Sequence, residues 1–339
     1  MAENDLRTAL LILVGGRQMP NFLTAQFLQP DIIAPVASHE AMRAGQAWSK
    51  LESALRQMGK TVLEPEVVDA FDLQEIREAC VRSLRKSPEA KWVFNVTCAT
   101  TVMSIAAYEV AKENRLACWY LDTDTQRVTV LSGSPPDGRL FRVSVADYMR
   151  IYGRAVVQNS GESPDAAIIQ LVSELAREAS QTTRFQKNLV KATAGQRVRE
   201  RLETPIEMDA PDDSSRRFLS AAQDAKLIKG LEYVSSNKAR FVLLGKESLD
   251  FLNGGWLELH VWLTAKETGR FADDEICYSF KIPADGQENQ IDFAVTHAGA
   301  LLIAECKSEE HPFKGSYLDK LSAIAGLLGG NFVGKMLIT

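Results

Sequence analysis

Three residues in the C-terminal part of the chain have the types and the spacing needed to hydrolyse a phosphodiester bond. Asp292 opens one apolar stretch, a turn follows, and Glu305 and Lys307 end the next stretch. Because side chains alternate along a β-strand, Glu305 and Lys307 are predicted to point to the same face. If the two strands pair as a hairpin or bend, Asp292 can converge on Glu305, which places two carboxylates beside one cation.

Each of these residue types suits one task in that chemistry. Mg²⁺ and Mn²⁺ prefer carboxylate and carbonyl oxygen, lower the pKa of a water molecule and neutralise charge on the phosphate. Asp292 and Glu305 are therefore predicted metal ligands, and the Cys306 carbonyl is a further candidate. Lys307 can orient the water and stabilise the phosphate oxygens, or act as a base if burial lowers its pKa.

Asp, Glu and Lys are common on surface hairpins, so this pattern can also occur by chance. The surrounding sequence favours a functional site over a chance occurrence. The apolar run ALLIA before Glu305 indicates a buried strand, where charged residues are costly without a partner or a metal. The segment GGWLE, which contains Glu258, lies upstream. These residues resemble the PD-(D/E)xK nuclease superfamily, and the resemblance implies that Glu258 is the acidic residue of its leading helix, a further catalytic and metal-binding residue.

The elements that must position these residues form a predicted α/β domain with a partly antiparallel sheet over residues 239–339. We predict a strand at 241–245, a helix through Trp262, a strand at 276–282, two strands around a turn at His297 to Gly299, a helix from Leu318 to Leu328 and an apolar ending at 332–339. The chain stops directly after this last predicted strand, so we expect that C-terminal structure of the domain is missing.

Residues 1–153 alternate predicted strands and helices, which indicates a doubly wound, Rossmann-like parallel sheet. Strands are predicted at 9–14, 31–38, 61–68, 92–96, 116–122 and 127–133, and helices at 41–58, 72–85 and 100–114. Residues 154–238 are predicted to be a helical connector, with the Pro- and Asp-rich segment 205–215 as a linker. Residues 184–201 carry six Arg or Lys against one Glu, which either contact phosphates or form a solvated basic helix face.

Length and composition fit two intracellular domains. The chain has 339 residues, 45% of them hydrophobic, which is enough for two cores. The net charge of −5 does not indicate a nucleic-acid-binding surface but leaves room for a local basic groove. Five cysteines without CxxC spacing predict neither a zinc site nor disulfides, and no apolar run is long enough to span a bilayer. We therefore expect a cytoplasmic protein.

Two polar segments follow predicted strands of the first domain, at the sheet edge where open α/β sheets bind ligands. The candidate ligand-binding residues are Gly16, Arg17, Gln18, Pro20 and Asn21 after the first strand, and Asn95, Thr97, Thr100 and Thr101 around the end of the fourth. Together they are predicted to hold phosphate and adenine groups. The alternative is structural, with a threonine capping the helix and glycines forming a turn. A GxGxxG fingerprint is absent, which argues against a nicotinamide enzyme.

These two segments in this order resemble the CARF domain, the Rossmann-like sensor of cyclic oligoadenylates in type III CRISPR defence. With the C-terminal motifs, the whole chain resembles CARF-domain nucleases activated by cyclic tetra-adenylate. The resemblance implies a homodimer with one shared ligand pocket, and paired nuclease domains that cut DNA, RNA or both with little sequence preference. A symmetric cyclic ligand suits such an isologous dimer.

The second CARF motif departs from the pattern of that family. Such effectors usually carry Thr-Gly-Gly-Thr-Lys, whereas residues 97–101 of this chain read Thr-Cys-Ala-Thr-Thr. Loss of a charge-assisted lysine contact can lower affinity, shift the preferred ring size or remove ring cleavage, unless Arg17 compensates. The competing functions are a non-catalytic nucleic-acid-binding regulator and a metabolic enzyme built on the first domain alone, and the latter leaves the Glu305 strand unexplained.

Overall fold

The computed structural model describes residues 7–43, 47–122, 127–134, 142–156, 164–194, 204–284, 287–308, 314–329 and 333–339. The chain forms two compact units. Unit 1 comprises Met1–Ala155, Thr296–Leu301 and Leu327–Val333. Unit 2 comprises Val156–Val295, Leu302–Gly326 and Gly334–Thr339.

Unit 1 is built on a seven-stranded sheet with flanking helices. Its strands are β1 (Thr8–Val14), β2 (Ile32–Ser38), β3 (Thr61–Val62), β4 (Glu66–Val68), β5 (Lys91–Asn95), β6 (Ala117–Asp122) and β7 (Arg127–Ser132). Its helices are α1 (Met19–Leu28), α2 (Ala47–Gln57), α3 (Leu73–Arg85), α4 (Thr101–Glu113) and α5 (Val145–Ile151). The strand order β3-β2-β1-β5-β6-β7, with β4 also pairing with β2, is that of a doubly wound fold.

The order of the strands creates a crevice between β1 and β5. Strand β1 pairs in parallel with both β2 and β5. The chain therefore adds β2 on one side of β1 and later adds β5 on the other side. Ligands of open α/β sheets bind at such a switch point, beyond the carboxyl ends of the strands. The apolar runs in β1 and β2 are buried on both faces, as the sequence predicted for parallel strands.

One predicted strand of unit 1 is divided in the structure. The stretch 61–68 forms the short strands β3 and β4, both parallel to β2. Pro65 lies between these two strands. Proline has no N–H to donate to a neighbouring strand, so it suits a position between strands rather than within one.

Unit 2 contains two sheets and most of the remaining helices. The first group of elements is α6 (Ala166–Arg177), α7 (Ala179–Thr193), β8 (Ile206–Asp209), α8 (Asp213–Asp224), β9 (Ile228–Ser235) and β10 (Lys238–Leu243). The second is α9 (Lys246–Asp250), a π-helical turn (Phe251–Gly255), α10 (Trp256–Glu267), β11 (Ile276–Ala284), β12 (Gln287–His297), β13 (Ala300–Cys306), α11 (Gly315–Leu327) and β14 (Val333–Ile338). The sheet orders are β8-β10-β9 and β11-β12-β13-β14.

The linker prediction for residues 205–215 was wrong, and strands β8 and β9 were not expected in the connector. Strand β8 pairs antiparallel with β10, and Ile206 and Met208 bury their side chains in the core of unit 2. Asp212 then caps α8 by accepting a hydrogen bond from the Ser215 N–H. The Pro and Asp residues therefore flank a short strand and begin a helix, rather than forming a linker.

Strands β12 and β13 are joined by a tight turn at Ala298 and Gly299, both with positive φ. Such a two-residue turn matches the twist of a hairpin and fixes the register of its strands. Asp292 and Glu305 are thereby placed near each other, as the hairpin prediction required. No helix among the described residues has the length and apolar character needed to cross a membrane.

Candidate active site and ligand pocket

Asp292, Glu305 and Lys307 converge within unit 2. The ammonium of Lys307 lies 2.7 Å from Glu305 Oε1 and 3.4 Å from Asp292 Oδ2. The Cys306 N–H donates a hydrogen bond of 2.9 Å to Asp292 Oδ2, and Lys320 Nζ lies 2.6 Å from Glu305 Oε2. Both carboxylates are 3% exposed, so each is buried and held by donors.

Glu258 completes a cluster of three acids. Burial, reinforced by the charge of Asp292, raises the pKa of Glu258 to about 7. Burial also raises the pKa of Asp292, and the nearby charge of Glu305 acts in the same direction. Mutual repulsion between buried carboxylates is relieved when a cation binds among them. The cluster thus concentrates unfavourable negative charge that a bound cation or a protonated lysine can offset.

The structure distinguishes between the two roles considered for Lys307. Burial by itself would lower the pKa of Lys307, but the hydrogen bond to Glu305 and the charge of Asp292 outweigh it and raise that pKa. These contacts favour the protonated form of Lys307, which suits the role of a cation rather than that of a base. Burial likewise raises the pKa of the Cys306 thiol, which leaves the carbonyl oxygen as the ligand atom that Cys306 can offer.

Two residues that the sequence did not identify as part of the site contribute to its geometry. Ser279 of β11 has a φ of 45°, in the left-handed region that non-glycine residues rarely adopt, and its side chain hydrogen-bonds Glu258. Lys320 of α11 pairs with Glu305 Oε2 at 2.6 Å. Within the described residues no three Asp, Glu, His or Cys side chains are arranged as a ready-made metal site, and lysines pair with both oxygens of Glu305.

A cavity of about 630 Å³ borders this site in unit 2. Glu258, Cys306 and Lys307 line one part of it, and residues of α7 line another. The π-helical turn before Glu258 contributes Gly254, whose φ of 149° and missing side chain bring the backbone close to Ser308. Of the three acids, Glu258 lines the cavity, whereas Asp292 and Glu305 do not.

A second cavity, of about 510 Å³, lies in unit 1 at the switch point of the sheet. It is lined by segments that follow the carboxyl ends of β1, β2, β4 and β5. These segments contribute Gly15, Gly16, Arg17, Ser38, Glu40, Ala41, Ala70, Phe71, Thr97, Cys98, Ala99, Thr100 and Met103. Phe71 is 74% exposed, so an aromatic face is available to a ligand there.

Comparison with protein families identifies two domains. Residues 10–148 match the Card1 CARF domain, and residues 245–339 match the Card1-like endonuclease domain. The chain combines a Card1-type CARF domain with a Card1-type endonuclease domain. The resemblance inferred from the sequence is confirmed for both domains. Comparison with the curated proteins finds no match.

Several solved structures share the fold at low sequence identity. Can2 from Sulfobacillus thermosulfidooxidans, in complex with cyclic tetra-adenylate, has a TM-score of 0.71 and 17% identity. The match covers 98% of this chain and 87% of the Can2 chain. Protein VC1899 from Vibrio cholerae has a TM-score of 0.75 and 19% identity over 97% and 88% of the two chains. A type III CRISPR defence DNA nuclease activated by cyclic oligoadenylate has a TM-score of 0.59 and 17% identity over 98% of this chain and 45% of that one.

The predicted ligand-binding residues of the CARF domain divide into two groups. Gly16, Arg17, Thr97 and Thr100 line the cavity, whereas Gln18, Pro20, Asn21, Asn95 and Thr101 do not. Thr100 also has the structural role considered from the sequence, because its hydroxyl caps α4 and donates to the Ala70 carbonyl at 2.7 Å.

Asn21 and Asn95 are fully buried below the cavity and bind each other. The Asn95 amide donates to Asn21 Oδ1 at 2.8 Å, and Asn21 donates to the Leu13 carbonyl of β1 at 2.8 Å. Asn95 Oδ1 accepts a hydrogen bond from the Thr97 hydroxyl. This network fixes the loops after β1 and β5 relative to each other, so these asparagines position the pocket rather than line it.

Gly15 allows a close approach that any side chain would prevent. A Cβ atom at Gly15 would lie 2.2 Å from the Cys98 carbonyl oxygen, whereas one at Gly16 would meet nothing within 4 Å. Gly15→Ala should therefore destabilise the CARF domain by about 2 kcal/mol or more, and Gly16→Ala by less than about 0.5 kcal/mol. Denaturant unfolding of both variants measures the difference, and equal stabilities would contradict the close packing of the two loops.

The raised pKa of Glu258 predicts a pH-dependent stability of the endonuclease domain without metal. A carboxyl whose folded-state pKa is about 7 binds more protons in the folded than in the unfolded state between pH 4.5 and 7. The free energy of unfolding should therefore fall across that interval as the pH rises. Solvent screening of this partly buried group limits the change to about 1–2 kcal/mol.

Urea unfolding in the presence of EDTA at several pH values tests this prediction. Glu258→Gln should lose that part of the pH dependence, whereas Glu288→Gln, at an exposed ion pair with Lys281, should retain it. Identical pH profiles for the native chain and Glu258→Gln would contradict the assignment.

Proposed function

We propose that the chain is a nuclease activated by a cyclic oligoadenylate, specifically cyclic tetra-adenylate, in type III CRISPR antiviral defence. It cuts DNA, RNA or both with little sequence specificity. The observation that carries the proposal is the convergence of Asp292, Glu305 and Lys307 beside Glu258 in a domain that matches an endonuclease family. The fold shared with Can2, which was solved with cyclic tetra-adenylate, supports the choice of activator.

The proposed cofactor is Mg²⁺ or Mn²⁺, held by Asp292, Glu305 and the Cys306 carbonyl, with Glu258 beside them. The donor set fits these ions because it consists of hard oxygen atoms, and because burial, together with the charges of Asp292 and Glu305, already raises the pKa of Glu258. The bound ion would supply an activated water molecule and neutralise charge on the phosphate.

The lysines have separate tasks in this scheme. Lys307 stays protonated beside Asp292 and Glu305 and offers its ammonium to the non-bridging phosphate oxygens. Lys320 holds the second oxygen of Glu305 and keeps that carboxylate oriented. A metal ion must compete with both lysines for Glu305, so we expect it to bind more tightly when substrate phosphates attract Lys307 away.

The cavity of the CARF domain is the proposed activator site. Gly16, Arg17, Thr97 and Thr100 line it and are the predicted contacts that we retain. Gln18 is 7% exposed, and its Oε1 atom has no hydrogen-bond partner among the described residues. Because Gln18 does not line the cavity, we assign it a role in positioning the loop after β1 rather than in contacting the ligand.

A homodimer is the proposed assembly, since a cyclic ligand with two-fold symmetry suits a two-fold interface. Phe71 and Leu73 near the start of α3 and Ile105 on α4 are 74%, 40% and 46% exposed. Large apolar side chains at such exposure are candidates for burial against a second copy. Light scattering coupled to size-exclusion chromatography measures the assembly, and a monomer at micromolar concentration would contradict it.

One cleavage assay tests the proposed function as a whole. Labelled single-stranded DNA, single-stranded RNA and supercoiled plasmid are incubated with Mg²⁺ or Mn²⁺, with and without cyclic tetra-adenylate, and with an EDTA control. Cutting that requires both the activator and the metal supports the proposal. Binding of cyclic tetra-adenylate without cutting of any substrate would favour the non-catalytic regulator instead.

A further inference from the structure

Helix α7 borders the candidate active site, although it lies outside both segments that match the family. Thr183, Lys187, Val190 and Lys191 of α7 line the same cavity as Glu258, Cys306 and Lys307. The family matches cover residues 10–148 and 245–339, whereas α7 spans Ala179–Thr193. The cavity wall facing a bound polymer is therefore formed partly by the connector.

A buried glutamine fixes α7 beside the catalytic residues. Gln186 is 6% exposed. In the amide orientation that satisfies both of its ends, it donates to the Ser308 carbonyl at 2.9 Å and accepts from Trp256 Nε1 at 3.1 Å. Ser308 follows Lys307 in the chain, and Trp256 lies two residues before Glu258 in α10. Gln186 therefore links α7 to the segment that carries Lys307 and to the helix that carries Glu258.

The face that α7 presents to the cavity is basic. Thr183, Lys187 and Lys191 recur at intervals of four residues, which places them along one face of the helix, about 6 Å apart along its axis. Both lysines are exposed to solvent. The two lysines line the same cavity as Asp250 and Glu258. A phosphate backbone in that cavity would be repelled by the two acids, and the lysines offset this repulsion.

We infer that α7 is a strand-binding wall of the nuclease, in which Lys187 and Lys191 contact phosphates of one nucleic-acid strand next to the scissile bond. This inference rests on the proposed function and extends it to the connector. The lysines are positioning residues, since they hold the strand and do not touch the reacting phosphate. They supply the local basic surface that the acidic net charge of the whole chain conceals.

The test measures how strand binding depends on salt. A labelled single-stranded oligonucleotide is titrated with activator-bound Glu305→Gln protein, which binds without cutting, over a range of salt concentrations. Adding Lys187→Ala and Lys191→Ala should weaken binding at least tenfold and make the slope of log K against log salt shallower by about 1.4, or 0.7 for each lost phosphate contact. The double Arg substitution at the same positions should restore the slope, because it keeps both charges.

The matched control is Lys229→Ala with Lys238→Ala, which removes the same charge from exposed sites on β9 and β10 that do not line the cavity. It should leave the slope unchanged. Equal slopes and affinities for the α7 double variant and this control would overturn the inference, even if the unmodified protein cuts normally. If the unmodified protein neither binds nor cuts nucleic acid, the proposed function is wrong and the inference fails with it.

Discussion

Glu305→Gln should reduce strand cleavage by about a hundredfold to a thousandfold while leaving the affinity for cyclic tetra-adenylate unchanged. Glutamine keeps the shape of the side chain but removes the charge that pairs with Lys307 at 2.7 Å and Lys320 at 2.6 Å. It also replaces one hard oxygen ligand with an amide NH₂ group, which cannot coordinate Mg²⁺ or Mn²⁺. A loss of this size is typical when an electrostatic contribution to the transition state is removed.

A conservative substitution elsewhere on the same sheet provides the control. Glu288 of β12 pairs with Lys281 at 2.8 Å, but its side chain is 51% exposed, so Glu288→Gln removes the same charge at the surface. Its cleavage rate should stay within about twofold of the unmodified protein, since exposed ion pairs contribute little. Initial rates and activator binding are measured for both variants. Comparable cleavage by Glu305→Gln, or loss of activator binding in that variant, would refute a separate metal-dependent site.

The endonuclease site was predictable because its chemistry is local in sequence. Glu305 and Lys307 share a face by strand alternation, and a short turn determines which residues of β12 approach them. Sequence alone did not identify Ser279, because its contribution depends on an unusual backbone conformation rather than on its residue type. Gln186 was equally hidden, since its hydrogen bond with Ser308 spans 122 positions of the chain, and no periodic pattern encodes it.

The CARF ligand residues were harder to separate from structural residues. Asn21 and Asn95 occur in the same loops as Arg17 and Thr97, and an asparagine suits both a ligand contact and a buried network. Only their complete burial and mutual hydrogen bond distinguish the two roles. Strand β8 was missed for a related reason, because four residues with two buried positions give too short an alternation beside Pro and Asp.

Arg17→Ala should raise the concentration of cyclic tetra-adenylate needed for half-maximal cleavage by at least tenfold, without changing the rate at saturation. Among the described residues that line the CARF cavity, Arg17 is the only Arg or Lys. The lysine expected at the end of the second CARF motif is replaced by Thr101. A charge-assisted hydrogen bond contributes about 1.5–3 kcal/mol, and two copies of Arg17 would act on one ring in a homodimer.

Removing a negative charge from the same cavity tests the assignment in the opposite direction. Glu40 also lines it, so Glu40→Gln should lower the half-maximal activator concentration by removing repulsion from the ring phosphates. Arg85→Ala, which removes an exposed cation at the far end of α3, should change neither quantity. Activator titrations of the three variants therefore discriminate a specific contact from a general effect of charge. If Arg17→Ala and Arg85→Ala behave alike, the ring phosphates bind elsewhere, because no other basic side chain among the described lining residues could replace Arg17.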